Sequence, residues 1–327
     1  MTGDKVISVS RRTDIPAFYT DWFINGIKRG YVDSINPFNR KYVSRVSLLP
    51  EDVTCFVFWT KNPKPIFKFL PTLDRLGYKY YFQYTLTSYS NDIEKLVPNK
   101  SNDLINTFKM LSDLIGKDKV IWRYDPIILT EKYNKEYHYK YFEEIMKRLK
   151  DCTNRVVISF VDLYNKTEIN TRHLNIKNWT PSLMREVGYE LAKISKRYNL
   201  EIQTCSEEVD LSEFGIEHGK CIDDRIISKI TNKKITKLNK DKGQRKACGC
   251  VESIDIGSNN TCKHLCFYCY ANISEKTVLN NVLKHNPNSA LLVGELVGDE
   301  TIHWRNGIKY LKSKEQIKNK SDDLLNL

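Results

Sequence analysis

Six times between residues 5 and 205 the chain runs through six or seven residues rich in β-branched and aromatic side chains: 5–10, 53–59, 80–86, 119–124, 155–161 and 200–205. Such runs lack the polar alternation of a half-exposed strand, so they suit strands buried on both faces. Amphipathic stretches lie between them, at 19–29, 65–76, 102–115, 135–150 and 181–198; the first three stop at Gly30, Gly77 and Gly116. Glycine closes a helix because it accepts the left-handed backbone of the cap. Strand and helix alternating at this rhythm predict βα units around a parallel sheet. The expected fold class is α/β, a (βα)6-7 partial or closed TIM-like barrel. A doubly wound open sheet is the competing architecture.

In parallel α/β folds, function gathers where the strands end. Every run here ends in polar residues: Arg11, Arg12 and Asp14; Lys61; Thr87; Arg123 and Asp125; Asp162; then Glu207 and Glu208. One such residue is more often a helix cap or rim ion pair, and Asp14 before Ile-Pro and Asp125 before Pro126 suit that reading. Six polar ends on one face form a polar-lined pocket. Arg12, Asp14, Arg123 and Asp125 are therefore candidate catalytic groups. Arg11 and Lys61 suit a carboxylate or phosphate of a bound cofactor. Asp162, Glu207 and Glu208 suit its amine or ribose hydroxyls.

Nine cysteines are present, five of them between residues 248 and 269. In a reducing compartment that crowding argues for metal rather than disulfides. Cys262, Cys266 and Cys269 stand with three and then two residues between them, so one short loop can wrap all three thiolates around one centre. Soft thiolates select zinc, copper(I) or iron–sulfur clusters. Cys248-Gly-Cys250 lies twelve residues earlier and suggests a second cluster, completed by two of Cys205, Cys221 or another ligand. Zinc held by four of the five crowded thiolates is the rival, although the spacings fit paired zinc knuckles poorly. Cys55 and Cys152 read as small buried hydrophobes. His264, inside the loop, reads as a supporting or surface group.

The motif Cys262-Lys-His-Leu-Cys266-Phe-Tyr268-Cys269-Tyr-Ala resembles that of radical S-adenosylmethionine (SAM) enzymes, and Cys266-Phe-Tyr-Cys269-Tyr resembles their spore photoproduct lyase branch. The resemblance implies one [4Fe-4S] cluster, with a second a possibility of the other cysteines. It also implies S-adenosyl-L-methionine as cofactor, Tyr268 packed near its adenine, and an electron donor such as ferredoxin or flavodoxin. Two departures stand out. The motif follows about 260 residues of chain, whereas such barrels carry it after their first strand, and no Gly-Gly-Glu stretch is present; Ser206-Glu207-Glu208 is the nearest substitute. A strand at 251–256 that serves as the barrel's usual first strand, through circular permutation, reconciles the late position. A C-terminal appendage folded over the barrel mouth is the alternative. This divides the chain into a barrel core, 1–240, and a cysteine-rich cluster-binding segment, 241–327. Ser10-Arg-Arg-Thr-Asp-Ile-Pro-Ala, Phe58-Trp-Thr-Lys-Asn-Pro, Trp122-Arg-Tyr-Asp-Pro-Ile and Cys248-Gly-Cys add a resemblance to the bacterial family DUF1848. That resemblance implies that the cysteine-rich tail and the barrel are one unit.

The formal net charge of +12 favours an anionic partner, either a small-molecule or a nucleic-acid substrate. A lysine-rich solvated surface explains the same number, and the basic run 229–242 reads as exposed helix and loop. No apolar run approaches the ~18 residues of a membrane span, and the first residues lack a signal-peptide apolar core. The expected location is the cytoplasm. Besides a radical SAM-like enzyme, the sequence admits a nucleic-acid-binding protein with a structural cluster, or a zinc-stabilised barrel enzyme.

Overall fold

The computed structural model describes residues 5–36, 39–162, 165–233 and 239–305. In chain order the elements are β1 (Lys5–Val9), α1 (Ile15–Phe18), α2 (Thr20–Arg29), β2 (Tyr31–Asn36), β3 (Asn39–Ser47), β4 (Val53–Thr60), α3 (Leu70–Arg75), β5 (Tyr80–Thr85), α4 (Ile105–Ile115) and β6 (Val120–Ile127). There follow α5 (Lys135–Leu149), β7 (Arg155–Phe160), α6 (Asn165–Thr171), α7 (Pro181–Arg197), β8 (Glu201–Thr204), β9 (Glu217–His218), α8 (Asp224–Thr231), β10 (Ile254–Asp255), α9 (Glu275–Val282) and β11 (Thr301–Trp304). The helix expected at 65–76 is split into a tight turn, Lys64–Phe69, and α3. Pro71 cannot donate a backbone hydrogen bond, so the helix starts afresh around it.

All six predicted runs form strands of one eight-stranded sheet, ordered β10-β1-β4-β5-β6-β7-β8-β9, with every pair parallel. Its two faces are both buried, which is why the strands read as continuous apolar runs. On one face Phe56, Phe58, Phe82 and Trp122 pack with helix residues such as Phe23, Leu73, Phe108, Phe142 and Leu191. Phe58 stacks on Phe82 across the strands at 4.7 Å. Each large side chain so buried stabilises the fold by about 1.5–3 kcal/mol. On the other face Val6, Val57, Tyr81, Ile121 and Val157 meet Ile222, Ile226 and Ile227 from in and around α8, together with Cys221, Cys248, Cys250 and Val251. Residues 221–230 and 248–251, between β9 and β10, the two outermost strands, thus cover the second face of the sheet.

The strand expected at 251–256 is shorter than predicted, only β10, and it is an edge strand paired with β1. Ile254, Ile256, Cys266 and Leu292 join the same core as β1–β8, so the stretch from β10 through the cysteine loop contributes to it. A second, small sheet was not anticipated: β2 and β3 form an antiparallel pair, and β11 lies parallel to β3. Its strands mix polar and apolar residues, and Arg45 grips Asp33 with two 2.8 Å hydrogen bonds. Cys55 is buried as expected, whereas Cys152 is only partly so, because it follows α5 in a surface turn. Of the basic run 229–242, α8 contributes the start, and 234–238 lie outside the described residues. Among the described residues no helix is long and apolar enough to cross a membrane.

Candidate functional site

The cysteine loop leaves the sheet at Asp255, the last residue of β10. Its Oδ2 accepts from Ser8 Oγ and the Arg11 amide, both at 2.8 Å, and its Oδ1 accepts from Ser10 Oγ at 2.6 Å and the Gly257 amide at 3.0 Å. One carboxylate thereby ties the ends of β10 and β1 together. A Cβ on Gly257 would come within 2.0 Å of Ser10 Oγ, so only glycine lets the loop pass this close.

From there the loop crosses the ends of β1, β4 and β5. Tyr19 Oη donates to Thr261 O at 2.6 Å. His264 Nε2 donates to Asp14 Oδ2 at 2.8 Å, and Asp14 also accepts from the Lys61 amide at 2.7 Å and caps α1 through the Ala17 amide at 3.0 Å. The Leu96 amide donates to His264 O and the Phe267 amide to Ile93 O, both at 3.0 Å. His264 is thus a buried support, not a surface group.

The backbone amides of His264 in the loop and of Asp14 beyond β1 favour thiolate at Cys262, and those of Ala271 and Asn272 favour it at Cys269. Burial pushes all three thiols up; Lys61 opposes the rise at Cys266 and Cys269. Among the described residues no three His, Cys, Asp or Glu side chains form a ready-made metal polyhedron. The donor set nonetheless fits a soft metal centre. Three sulfurs come from one loop, backbone amides favour thiolate at two of them, and the buried His264 Nδ1 has no hydrogen-bond partner.

Beside Cys266 lies a buried carboxylate that sequence reasoning missed. Glu94 Oε1 accepts from Lys61 Nζ at 2.7 Å, Thr87 Oγ1 at 2.8 Å and Tyr268 Oη at 2.5 Å, while Lys100 Nζ lies 2.8 Å from Oε2. Burial alone would raise the Glu94 pKa, but Lys61 and Lys100 override it and hold the carboxyl well below its usual range. Nothing in the sequence marked Glu94 or Asp255, since Lys61 and Tyr268 reach the first, and Ser8, Ser10 and Arg11 the second, from far along the chain.

The remaining strand-end residues divide into inner and rim groups. Arg123 is buried, pairs with Asp125, and lies 2.8 Å from Cys221 Sγ. Asp125 also accepts from Ser159 Oγ. Burial would raise the Asp125 pKa, yet Arg123 pulls it down overall. Arg11 Nη2 reaches Asp241 at 3.3 Å and Ser253 Oγ at 3.1 Å, and Arg12 Nη1 reaches Gly257 O at 3.5 Å. Arg12 therefore braces the start of the cysteine loop, and Arg11 braces the chain that leads into β10. Glu207 is buried and accepts from the Phe160 amide at 3.0 Å; burial pushes its pKa up to about 7 against that hydrogen bond. Two expected cofactor residues depart from this group. Glu208 is exposed while its neighbour turns inward, and Asp162 is an exposed rim residue paired with Arg245.

The four other cysteines approach one another. Cys205 Sγ and Cys221 Sγ are 3.1 Å apart, and Cys221, Cys248 and Cys250 are buried in one cluster of side chains that Cys205 packs against.

Fold and site together define an α/β protein whose cysteine loop springs from an edge strand of a parallel sheet and lies across neighbouring strand ends. The chain belongs to the family described as "Domain of unknown function (DUF1848)", whose model matches residues 6–271 and so takes in both sheet and loop. No curated protein matches it. Among solved structures it is similar to the dihydropyrimidinase from Brevibacillus agri NCHU1002, with 7% identity, a TM-score of 0.28 and coverage of 62% of this chain and 41% of that one. A D-hydantoinase gives 8% identity, a TM-score of 0.25 and coverage of 63% and 42%. The chain spans about two fifths of each of those proteins, and likenesses this slight carry no weight for its chemistry.

Proposed function

We propose that this protein is a radical SAM-like enzyme built on a circularly permuted partial barrel. The observation that carries the reading is the position of β10. This edge strand lies beside β1, although about 245 residues separate them, and it leads directly into the cysteine loop. In space, then, the loop follows the first strand of the parallel series, as the radical SAM resemblance requires.

Cys262, Cys266 and Cys269 would hold a [4Fe-4S] cluster and leave one iron for the amine and carboxylate of S-adenosyl-L-methionine. When bound, the pair supplies reductive cleavage of the sulfonium and a 5′-deoxyadenosyl radical that abstracts hydrogen from the substrate. The protein's part is to orient and to exclude water. The His264–Asp14 contact and the Asp255 carboxylate fix the loop on the strand ends. Lys61, held by Glu94, keeps a cation beside Cys266 and under the Tyr268 ring, whose centroid is 5.6 Å away. Glu207 takes the place of the missing Gly-Gly-Glu acid: it is buried at the end of β8, next to Ser206, whose buried hydroxyl has no partner. Arg123 and Asp125 lie together on β6, two strands from β8, where substrate would meet them. The positive net charge favours an anionic small-molecule or nucleic-acid substrate and an acidic donor such as ferredoxin or flavodoxin. The free cysteines suit the reducing cytoplasm.

The test is anaerobic reconstitution with iron and sulfide, followed by dithionite and S-adenosyl-L-methionine. Production of 5′-deoxyadenosine that is lost in Cys266→Ala supports the reading. A bound cluster with no 5′-deoxyadenosine rejects it in favour of a structural cluster.

A further inference from the structure

We propose that Cys205, Cys221, Cys248 and Cys250 form a second, closed metal site that takes one tetrahedral zinc-class ion rather than a cluster. The four residues come from three places: Cys205 follows β8, Cys221 follows β9, and Cys248 and Cys250 precede β10. The fold builds their meeting in detail. The Gly219 amide donates to Thr204 O at 2.8 Å, and a Cβ at Gly219 would meet that oxygen at 2.7 Å, so glycine is required for Cys221 to come in against β8. Tyr81 Oη and Gln83 Nε2 reach from β5 to Cys221 O at 2.7 and 2.8 Å. The Val251 amide donates to Ile222 O at 3.1 Å, and the Ile222 amide donates back to Cys250 Sγ at 3.4 Å.

Buried cysteines in a core are ordinarily small hydrophobes. Cys55, in the same cluster of side chains, behaves so: its thiol meets only the carbonyl of Phe56 next to it. The other four differ: Cys205 Sγ touches Cys221 Sγ at 3.1 Å, Cys221, Cys248 and Cys250 share one buried cluster that Cys205 packs against, and cations face them. Arg123 Nη1 lies 2.8 Å from Cys221 Sγ, the positive charge of the same guanidinium also acts on Cys205, and that of Arg11 acts on Cys250. Four thiolates around one divalent ion carry two excess negative charges, which these arginines offset. On binding, the four thiols release their protons to solvent and the Cys205–Cys221 contact is replaced by bonds to one shared ion.

Sulfur spacing separates one ion from a cubane. Zinc–sulfur bonds of about 2.3 Å in a tetrahedron set neighbouring sulfurs about 3.8 Å apart; Cys205 and Cys221 at 3.1 Å would part slightly, and Cys248 and Cys250 would close in on them, since among the described residues no three such side chains yet stand close enough to hold an ion. A cubane anchors its thiolates on different irons and spreads them farther. The ion would pin the chain between β9 and β10 to the second face of the sheet.

This proposal is independent of the first site, so its test removes that site. The triple variant Cys262→Ala, Cys266→Ala, Cys269→Ala is purified without added iron and its metals are measured. The expected result is about one zinc per chain, and, after exchange, a cobalt(II) spectrum with strong thiolate charge transfer and tetrahedral bands. Adding Cys221→Ala should lower zinc at least about tenfold, as befits a lost ligand in a closed site, while adding Cys55→Ala should leave it unchanged. Should the Cys221→Ala protein fail to fold, the cobalt spectrum of the triple variant still counts the thiolates. Iron with sulfide in the triple variant, absence of metal, fewer than four thiolates in the cobalt spectrum, a Cys205–Cys221 disulfide in protein purified under nitrogen, or zinc that survives Cys221→Ala would each overturn the proposal.

Discussion

His264 Nε2 stands 2.8 Å from Asp14 Oδ2, joining the cysteine loop to the end of β1 across 250 residues of sequence. Both side chains are buried. Removing one partner of a buried hydrogen bond strands the other at a cost of about 1–3 kcal/mol. His264→Ala is expected to lose about that much stability in denaturant unfolding and to retain less iron after reconstitution. His264→Gln keeps a donor and should recover part of both. Full iron content in His264→Ala would show that the loop holds its metal without this contact.

Gly257 tests the close passage of the loop past β1. Its missing Cβ would stand 2.0 Å from Ser10 Oγ and 2.6 Å from Ser10 Cβ. Gly257→Ala must push the strand ends apart, an overpacking cost of about 1–3 kcal/mol. The expected outcome is a lower Tm together with reduced iron binding. Gly77→Ala offers a contrast, since no atom lies within 4 Å of its Cβ position and only its φ of 84° is strained.

Glu94 sets an acid limit on stability. Its folded pKa is depressed, so the unfolded chain binds the proton more readily. Its contribution is complete above the unfolded carboxylate value of about 4.3 and is lost as pH falls below it toward the folded value. Glu94→Gln leaves Lys61 and Lys100 facing each other around a neutral group. A loss of about 3–5 kcal/mol at neutral pH and a flatter acid limb are expected. Unfolding free energies measured between pH 3 and pH 7 check both.

Glu207 acts with the opposite sign. Its pKa is raised to about 7, so the folded state holds the proton that the unfolded chain releases. Stability from this group is greatest below the unfolded value, declines as pH rises toward 7, and levels off above it. Glu207→Gln should remove that decline and be relatively more stable at pH 8 than at pH 5. If Glu207 binds the amine of S-adenosyl-L-methionine, the same variant also weakens its binding, as read by calorimetry.

What the sequence determined by itself was whatever depends on near neighbours. Continuous apolar runs specified six parallel strands, helical periodicity specified the helices between them, and spacing placed Cys262, Cys266 and Cys269 in one loop. The mixed strands β2, β3 and β11 escaped notice because their polar residues break the pattern that marked the others. Tertiary structure alone decided which distant segments meet. It set β10 beside β1, turned Glu207 inward and Glu208 outward, surrounded Glu94 with two lysines, and brought Cys205 and Cys221 to Cys248 and Cys250. The physical reason is that periodicity records which face of an element is buried, whereas the partner on that face is chosen by packing and hydrogen bonding across the whole fold.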